Sequence, residues 1–162
     1  MTYHKLNLGC GVNGEKVYPG YLNVDLERGK GVNLVADIRC LMFKPDCIDE
    51  ILLEDVFEHF SYSEATGLLQ KFHSWLKQWG VLSLTVPNIR VLARNLSRRD
   101  CYESMKWIYG ADGSRGHREP LFHHWGYSET SLCELLAVSG FGVVKCWTDC
   151  NGFRLCVVAQ KQ

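Results

Sequence analysis

No stretch of this 162-residue chain comes near the ~20 consecutive apolar residues needed to cross a bilayer; "VLSLTV" and "LCVVA" are among its longest apolar runs. A membrane span is therefore not expected. The opening residues, "MTYHKLNLG", lack the charged-then-apolar order of a secretory signal, so the expected location is cytoplasmic. An excess of one charge is missing too, because 18 Lys and Arg balance 18 Asp and Glu. That balance argues against a duplex nucleic-acid binder, which would show a basic face. Repeats and low-complexity tracts are absent, so one domain spanning residues 1–162 is expected.

Cysteine is plentiful at 8 residues, but the spacing that would make it a metal centre is not there. Cys10, Cys40, Cys47, Cys101, Cys133, Cys146, Cys150 and Cys156 contain no C-x-x-C pair. Free thiols are expected, with no structural zinc and, in a reducing compartment, no disulfides.

The even charge conceals a division. Residues 1–87 carry 8 Lys and Arg against 11 acids, residues 88–119 carry 7 against 4, and residues 120–162 carry 3 against 3. The surplus in the middle segment suits either an anionic small substrate or a solvated helix with scattered arginines.

What the sequence does contain is an alternation of short apolar runs and helical patterns. Lys5–Gly9, Tyr21–Leu26, Asn33–Ala36, Ile48–Glu54 and Val81–Val86 read as strands bounded by Gly, Pro, Asn or Asp. Between the last two, "SYSE" forms a capping box of Ser61 and Glu64, and Leu68, Leu69, Phe72, Trp75 and Leu76 recur at helical spacing up to Gly80. A second capped helix runs from Ser128 through Leu132, Leu135 and Leu136 to Gly140. Two further strands, Val143–Asp149 and Phe153–Gln160, are joined by only "CNG", a link that suits antiparallel strands alone. The expected fold is α/β: a mostly parallel seven-stranded sheet ending in an antiparallel hairpin.

Gly9, Gly11 and Gly14 follow the first strand at the spacing G-x-G-x-x-G, which alone suggests a dinucleotide. A dinucleotide pyrophosphate, however, needs the N-terminus of a following helix. The segment "EKVYPG" is too short to supply one. A phosphate-free ligand, an adenosine joined to an amino acid, requires only backbone without side chains near Gly9 and Gly11, and S-adenosylmethionine meets that description. Asp25, closing the second strand, can accept both ribose hydroxyls, and Asp37, closing the third, can accept an adenine amino group. Each acid alone also reads as a cap or strand-end turn.

"KLNLGCG", "GYLNVDL", "LVADI", "LEDVFEHF", "GVLSLTVPN" and "HHWGYSETSLCELLAVSGF" occur in that order, and nearly the whole chain resembles the small class I S-adenosylmethionine-dependent methyltransferases. The resemblance includes a compact group found in bacterial surface-polysaccharide gene neighbourhoods. It implies a Rossmann-like sandwich in which Leu8, Gly9, Cys10 and Gly11 face the methionine part of the cofactor. Asp25 would hold the ribose, with Leu26 beside it among the cofactor-binding residues, Asp37 and Ile38 would contact the adenine, and Glu54 and Asp55 would approach the cofactor. A similar "FEHF" in cyclopropane fatty acid synthases adds weight to Glu58. The first helices are abbreviated relative to the family: "NGEKVYPG" and "ERGKG" leave little room for them. One sheet face is then thinly covered, which calls for a homodimer across it or for loops and cofactor over it.

Methyl transfer needs in-line positioning, and a base where the acceptor is a hydroxyl. The catalytic candidates are Glu58 and His59 after the fourth strand, and His123 and His124 before the second capped helix. Neighbouring residues on an extended segment point opposite ways, so at most one of the histidine pair faces a shared pocket. Both could equally pack or bind substrate, and no third metal ligand stands at suitable spacing, so no metal is expected. Residues 88–126 read as a substrate-side insertion with helices in "NIRVLARNL" and "YESMKWIYG", followed by "ADGSRGHREP". That last segment reads as a lid carrying Arg115, His117 and Arg118, or as an ordinary surface loop.

These features imply an S-adenosylmethionine-dependent methyltransferase acting on an oxygen or nitrogen of a small molecule or saccharide. A cofactor-binding module without chemistry is the alternative from another class, and an NAD-type oxidoreductase is disfavoured by the missing helix.

Overall fold

A computed structural model of the chain describes residues 3–96, 102–111 and 121–162. Five strands pair in parallel: β1 (Lys5–Leu8), β2 (Leu22–Asp25), β3 (Leu34–Val35), β4 (Ile48–Glu54) and β5 (Leu76–Pro87). The short strands β6 (Gly110–Ala111) and β7 (Leu121–Phe122) pair with each other in a separate two-stranded sheet. β8 (Phe141–Thr148) and β9 (Arg154–Lys161) form the expected hairpin, with β9 inserted antiparallel between β5 and β8. The main sheet has the order β3-β2-β1-β4-β5-β9-β8, so strand succession reverses direction between β1 and β4. In open α/β sheets the crevice at such a reversal, beyond the carboxyl ends of the strands, is where ligands bind.

One face of the sheet is helical. α1 (Tyr62–Trp75) starts at the Ser61–Glu64 capping box with both reciprocal bonds made, and buries Leu68, Leu69, Phe72 and Trp75. α4 (Glu129–Val138) is capped by Ser128 and buries Leu132, Leu135 and Leu136. His73 of α1 meets Phe141, just past α4, edge to face at 5.4 Å, so both helices lie on the same side. They share one core with Leu6, Leu8, Ile51, Leu53, Leu82, Leu84, Leu155 and Val157.

The helix expected to reach Gly80 stops at Trp75. Leu76 turns extended at φ −67° and ψ 139°, pairs with Ile48 and is fully buried, so burial of this leucine in the sheet overrides the helical pattern. The chain then makes a tight excursion through Trp79, at φ 66°, before resuming the ladder at Val81. β5 is accordingly much longer than the expected Val81–Val86.

No helix covers the opposite face between β1 and β2 or between β2 and β3, and only a single 3-10 turn, Ile38–Cys40, lies between β3 and β4. The loop after β1 takes the place of a helix there. Asn7, buried on this face, donates from Nδ2 to Lys16 O at 2.6 Å and to Asn23 Oδ1 at 2.8 Å. Asn23 in turn donates to the Tyr18 and Tyr21 carbonyls and to Asn33. This amide ladder holds the loop against the sheet without an apolar core. Within residues 88–126, α2 (Ile89–Asn95) and α3 (Tyr102–Tyr109) appear where the sequence suggested helices. Arg115, His117 and Arg118 lie outside the described residues.

Candidate functional site

The site is built from three loops at the carboxyl ends of β1, β2 and β4. At β1, the Gly9 and Cys10 N–H groups both donate to Val24 O, at 2.8 and 3.1 Å, which turns the chain sharply off the strand. Gly9 and Gly11 sit at φ 77° and 75°, a region where a side chain is strained. A Cβ on Gly9 would also overlap the Val56 side chain, so the glycine loop and the segment after β4 touch here. Cys10 is buried, and burial raises its thiol to about 11, which leaves it protonated and inert. The seven cysteines among the described residues are all free.

At β2, Asp25 is buried to 7% exposure, with Oδ2 accepting from Gly11 N at 2.8 Å and Oδ1 from Glu27 N at 3.2 Å. Each oxygen keeps a further lone pair for a ligand hydroxyl. The neighbouring Leu26 is 60% exposed, an apolar surface at the rim of the crevice. Asp37 takes up the capping alternative. It accepts from Arg39 N at 2.8 Å and is gripped by the Arg39 guanidinium, whose hydrogen bonds hold its carboxyl below the usual range. Ile38 beside it is buried.

After β4 the structure separates the two acids. Glu54 accepts from Tyr18 OH on both oxygens, at 3.2 and 3.1 Å. Asp55, at φ 56°, bonds Lys16 Nζ at 3.0 Å and the Arg154 guanidinium at 3.1 and 3.0 Å. Asp55 thus ties the glycine loop to β9, and Arg154 lies 5.2 Å over the Trp107 ring of α3. Sequence reading missed Lys16, Arg154 and Trp107, since nothing local marks residues that meet only in three dimensions.

Phe57–His59 is a 3-10 turn, anchored by fully buried Phe57 stacked on Tyr127 at 5.4 Å. The Glu58 carbonyl accepts from His124 N at 2.8 Å and Trp125 N at 3.1 Å, which pins the histidine-bearing segment over this turn. Glu58, His59 and His123 converge. His59 and His123 rings meet edge to face at 4.8 Å, and His123 Nε2 lies 3.8 Å from Glu58 Oε1. His124 is exposed, and outside its backbone bond it stands apart from this cluster.

Glu58 is 1% exposed, and neither of its oxygens finds a hydrogen-bond partner among the described residues. Burial pushes its carboxyl up to about 8, with the nearness of its own backbone N–H opposing and the Asp55 charge adding. Burial, reinforced by repulsion from His59, lowers His123 to about 4. At neutral pH the two are therefore an uncharged polar contact, not an ion pair. Tyr127, also missed in the sequence, has a buried hydroxyl without a partner, and burial with the Glu58 charge raises it above the usual phenol range.

No family model and no curated protein matches the chain. Solved structures do match. An S-adenosylmethionine-dependent methyltransferase from Mesorhizobium loti is 16% identical, with a TM-score of 0.66 over 98% of this chain and 90% of that one. The 1,6-didemethyltoxoflavin-N1-methyltransferase of Burkholderia thailandensis, solved with 1,6-didemethyltoxoflavin and S-adenosylhomocysteine bound, is 17% identical, with a TM-score of 0.64 over 98% of this chain and 70% of that one. The magnesium protoporphyrin IX methyltransferase of Synechocystis PCC 6803, with bound S-adenosylhomocysteine, is 15% identical at a TM-score of 0.60, over 98% and 74%. At such identities the likeness establishes the fold alone, a Rossmann-like sandwich that this chain shares with these solved structures.

Proposed function

We propose that this chain is an S-adenosylmethionine-dependent methyltransferase that modifies an oxygen or nitrogen of a small molecule or saccharide. The observation that carries the reading is Asp25, a buried carboxylate at the end of β2 that is locked to the Gly11 backbone of the loop after β1, beside the sheet's reversal point. No helix follows the glycine loop to seat a pyrophosphate, which disfavours the NAD-type alternative. The resemblance in motif order and the solved methyltransferases of the same fold support the same cofactor.

Leu8, Gly9, Cys10 and Gly11 would present backbone to the methionine part, Asp25 would take the ribose hydroxyls, and Asp37 and Ile38 would contact the adenine. Bound there, the cofactor supplies an electrophilic methyl group. The protein's own task is to orient the acceptor and relieve it of a proton where it has one. Glu58, His59 and His123 are the candidates for that task, a reading supported by their cluster beginning two residues beyond the Val56 contact with Gly9. Calorimetry tests the reading: S-adenosylhomocysteine should bind and NAD should not, and the reverse result would overturn it. Methyl transfer from labelled cofactor to small molecules or glycans of a cell extract then distinguishes the enzyme from a cofactor-binding module.

A further inference from the structure

The Glu58, His59 and His123 side chains form a donor set whose chemistry goes beyond proton transfer. We propose that these three residues bind a single divalent transition-metal cation. The cation binding stands on the side chains alone; its use, to hold an acceptor oxygen beside the methyl donor, rests on the methyl-transfer reading.

One ligand-capable atom of each residue lies within 4.8 Å of those of the other two. Bonds of ~2.0–2.2 Å to a common ion would bring such atoms to roughly 3.0–3.5 Å apart, so closure needs side-chain shifts of about 1 Å. Two imidazoles and one carboxylate on one side of an ion leave its remaining positions open to water or substrate, and imidazole favours Zn, Co, Ni or Fe over Mg or Ca.

The second coordination layer is already built. His59 Nδ1 lies 2.9 Å from Phe122 O, and His123 Nδ1 lies 2.9 Å from Trp107 O. A carbonyl can only accept, so both Nδ1 atoms carry hydrogen, and in the neutral ring the lone pair belongs to Nε2. Backbone carbonyls orient metal-binding histidines in the same way. For His123, that Nε2 is the atom facing Glu58.

Glu58 supplies the independent observation. A carboxyl at 1% exposure with two partnerless oxygens is costly in a folded protein, and it is aimed at the two imidazoles. A cation between them would satisfy it. The sequence offered only the His123–His124 pair and no third ligand; the fold discards His124 and draws Glu58 and His59 from the turn after β4.

The experiment uses the full chain, stripped with a chelator and titrated with Co(II) and Zn(II). One equivalent should bind, Co(II) should develop a visible ligand-field spectrum, and Mg(II) should not compete. His59→Ala and His123→Ala should each weaken binding by roughly a hundredfold or more, beyond the effect of losing a second-layer partner. His4→Ala, an exposed control, should not. Absence of saturable binding, or variants that bind as tightly as the wild type, overturns the proposal. Should the variants fail to fold, X-ray absorption of the Zn-loaded wild type decides: two imidazoles and no sulfur are expected, and sulfur ligation would mean that cysteines had taken the ion. S-adenosylhomocysteine titration of the same metal-free samples separates the two readings. Cofactor binding without metal binding sinks only this inference, and metal binding without cofactor binding sinks only the other.

Discussion

The Gly11 N–H donates to Asp25 Oδ2 at 2.8 Å, joining the first loop to the end of the second strand. One carboxylate thereby fixes the glycine loop's curvature and faces the crevice. Asp25→Ala removes this charged acceptor together with the Glu27 bond, so S-adenosylhomocysteine affinity should fall by roughly 10–100-fold, consistent with ~1.5–3 kcal/mol for a hydrogen bond to a charged group. Asp25→Asn, which keeps the shape and one acceptor, should lose less. Unchanged affinity in Asp25→Ala, measured by calorimetry, would remove Asp25 from the ribose role.

Gly9→Ala should fail on two counts. Its φ of 77° costs an L-residue ~1–2 kcal/mol, and the new methyl would overlap Val56. Denaturant unfolding should show that loss, and Val56→Ala should restore only the part owed to overlap. A double variant no more stable than Gly9→Ala would mean that Val56 is not the obstacle.

Much of this was legible in local sequence. The capping boxes, the five parallel strands, the hairpin and the missing first helix all follow from short-range pattern, because each depends on residues within one turn or one strand. What was illegible depends on distant encounters. Trp75 ends α1 because Leu76 is needed opposite Ile48, which no helical periodicity reveals. Asp55 meets Lys16 and Arg154, which converge on it from either side, an encounter that no local pattern announces. Glu58 and His123 are far apart in the chain, and only the Glu58 carbonyl bonds to His124 and Trp125 bring the two segments together.

Acid should weaken the start of α1. Glu64 is held down to about 2 by the Ser61 backbone N–H, the Ser61 hydroxyl and then Arg39, against an ordinary value of 4.5. Its folded value is depressed, so its contribution is complete above pH 4.5 and disappears as pH falls toward 2. Glu64→Gln should therefore melt roughly 1–3 °C below wild type at pH 7, the range expected for a weakened helix cap, and the two curves should converge near pH 2. A gap that stays constant across this range would show that the carboxylate charge is irrelevant to the cap.

The Tyr127 hydroxyl is the simplest place to weigh an unsatisfied group. Its ring is 1% exposed and stacks on Phe57, while its oxygen has no partner. Tyr127→Phe keeps the stack and deletes the stranded hydroxyl, so the metal-free protein should gain ~1 kcal/mol and melt about 2–4 °C higher. The ring fixes the turn that carries Glu58 and His59, so that turn should be undisturbed by the change. A lower melting temperature would mean that the hydroxyl is hydrogen-bonded in solution, with a buried water molecule as its natural partner. Repeating the melt with Zn(II) present then asks whether that partner survives when the carboxylate is engaged.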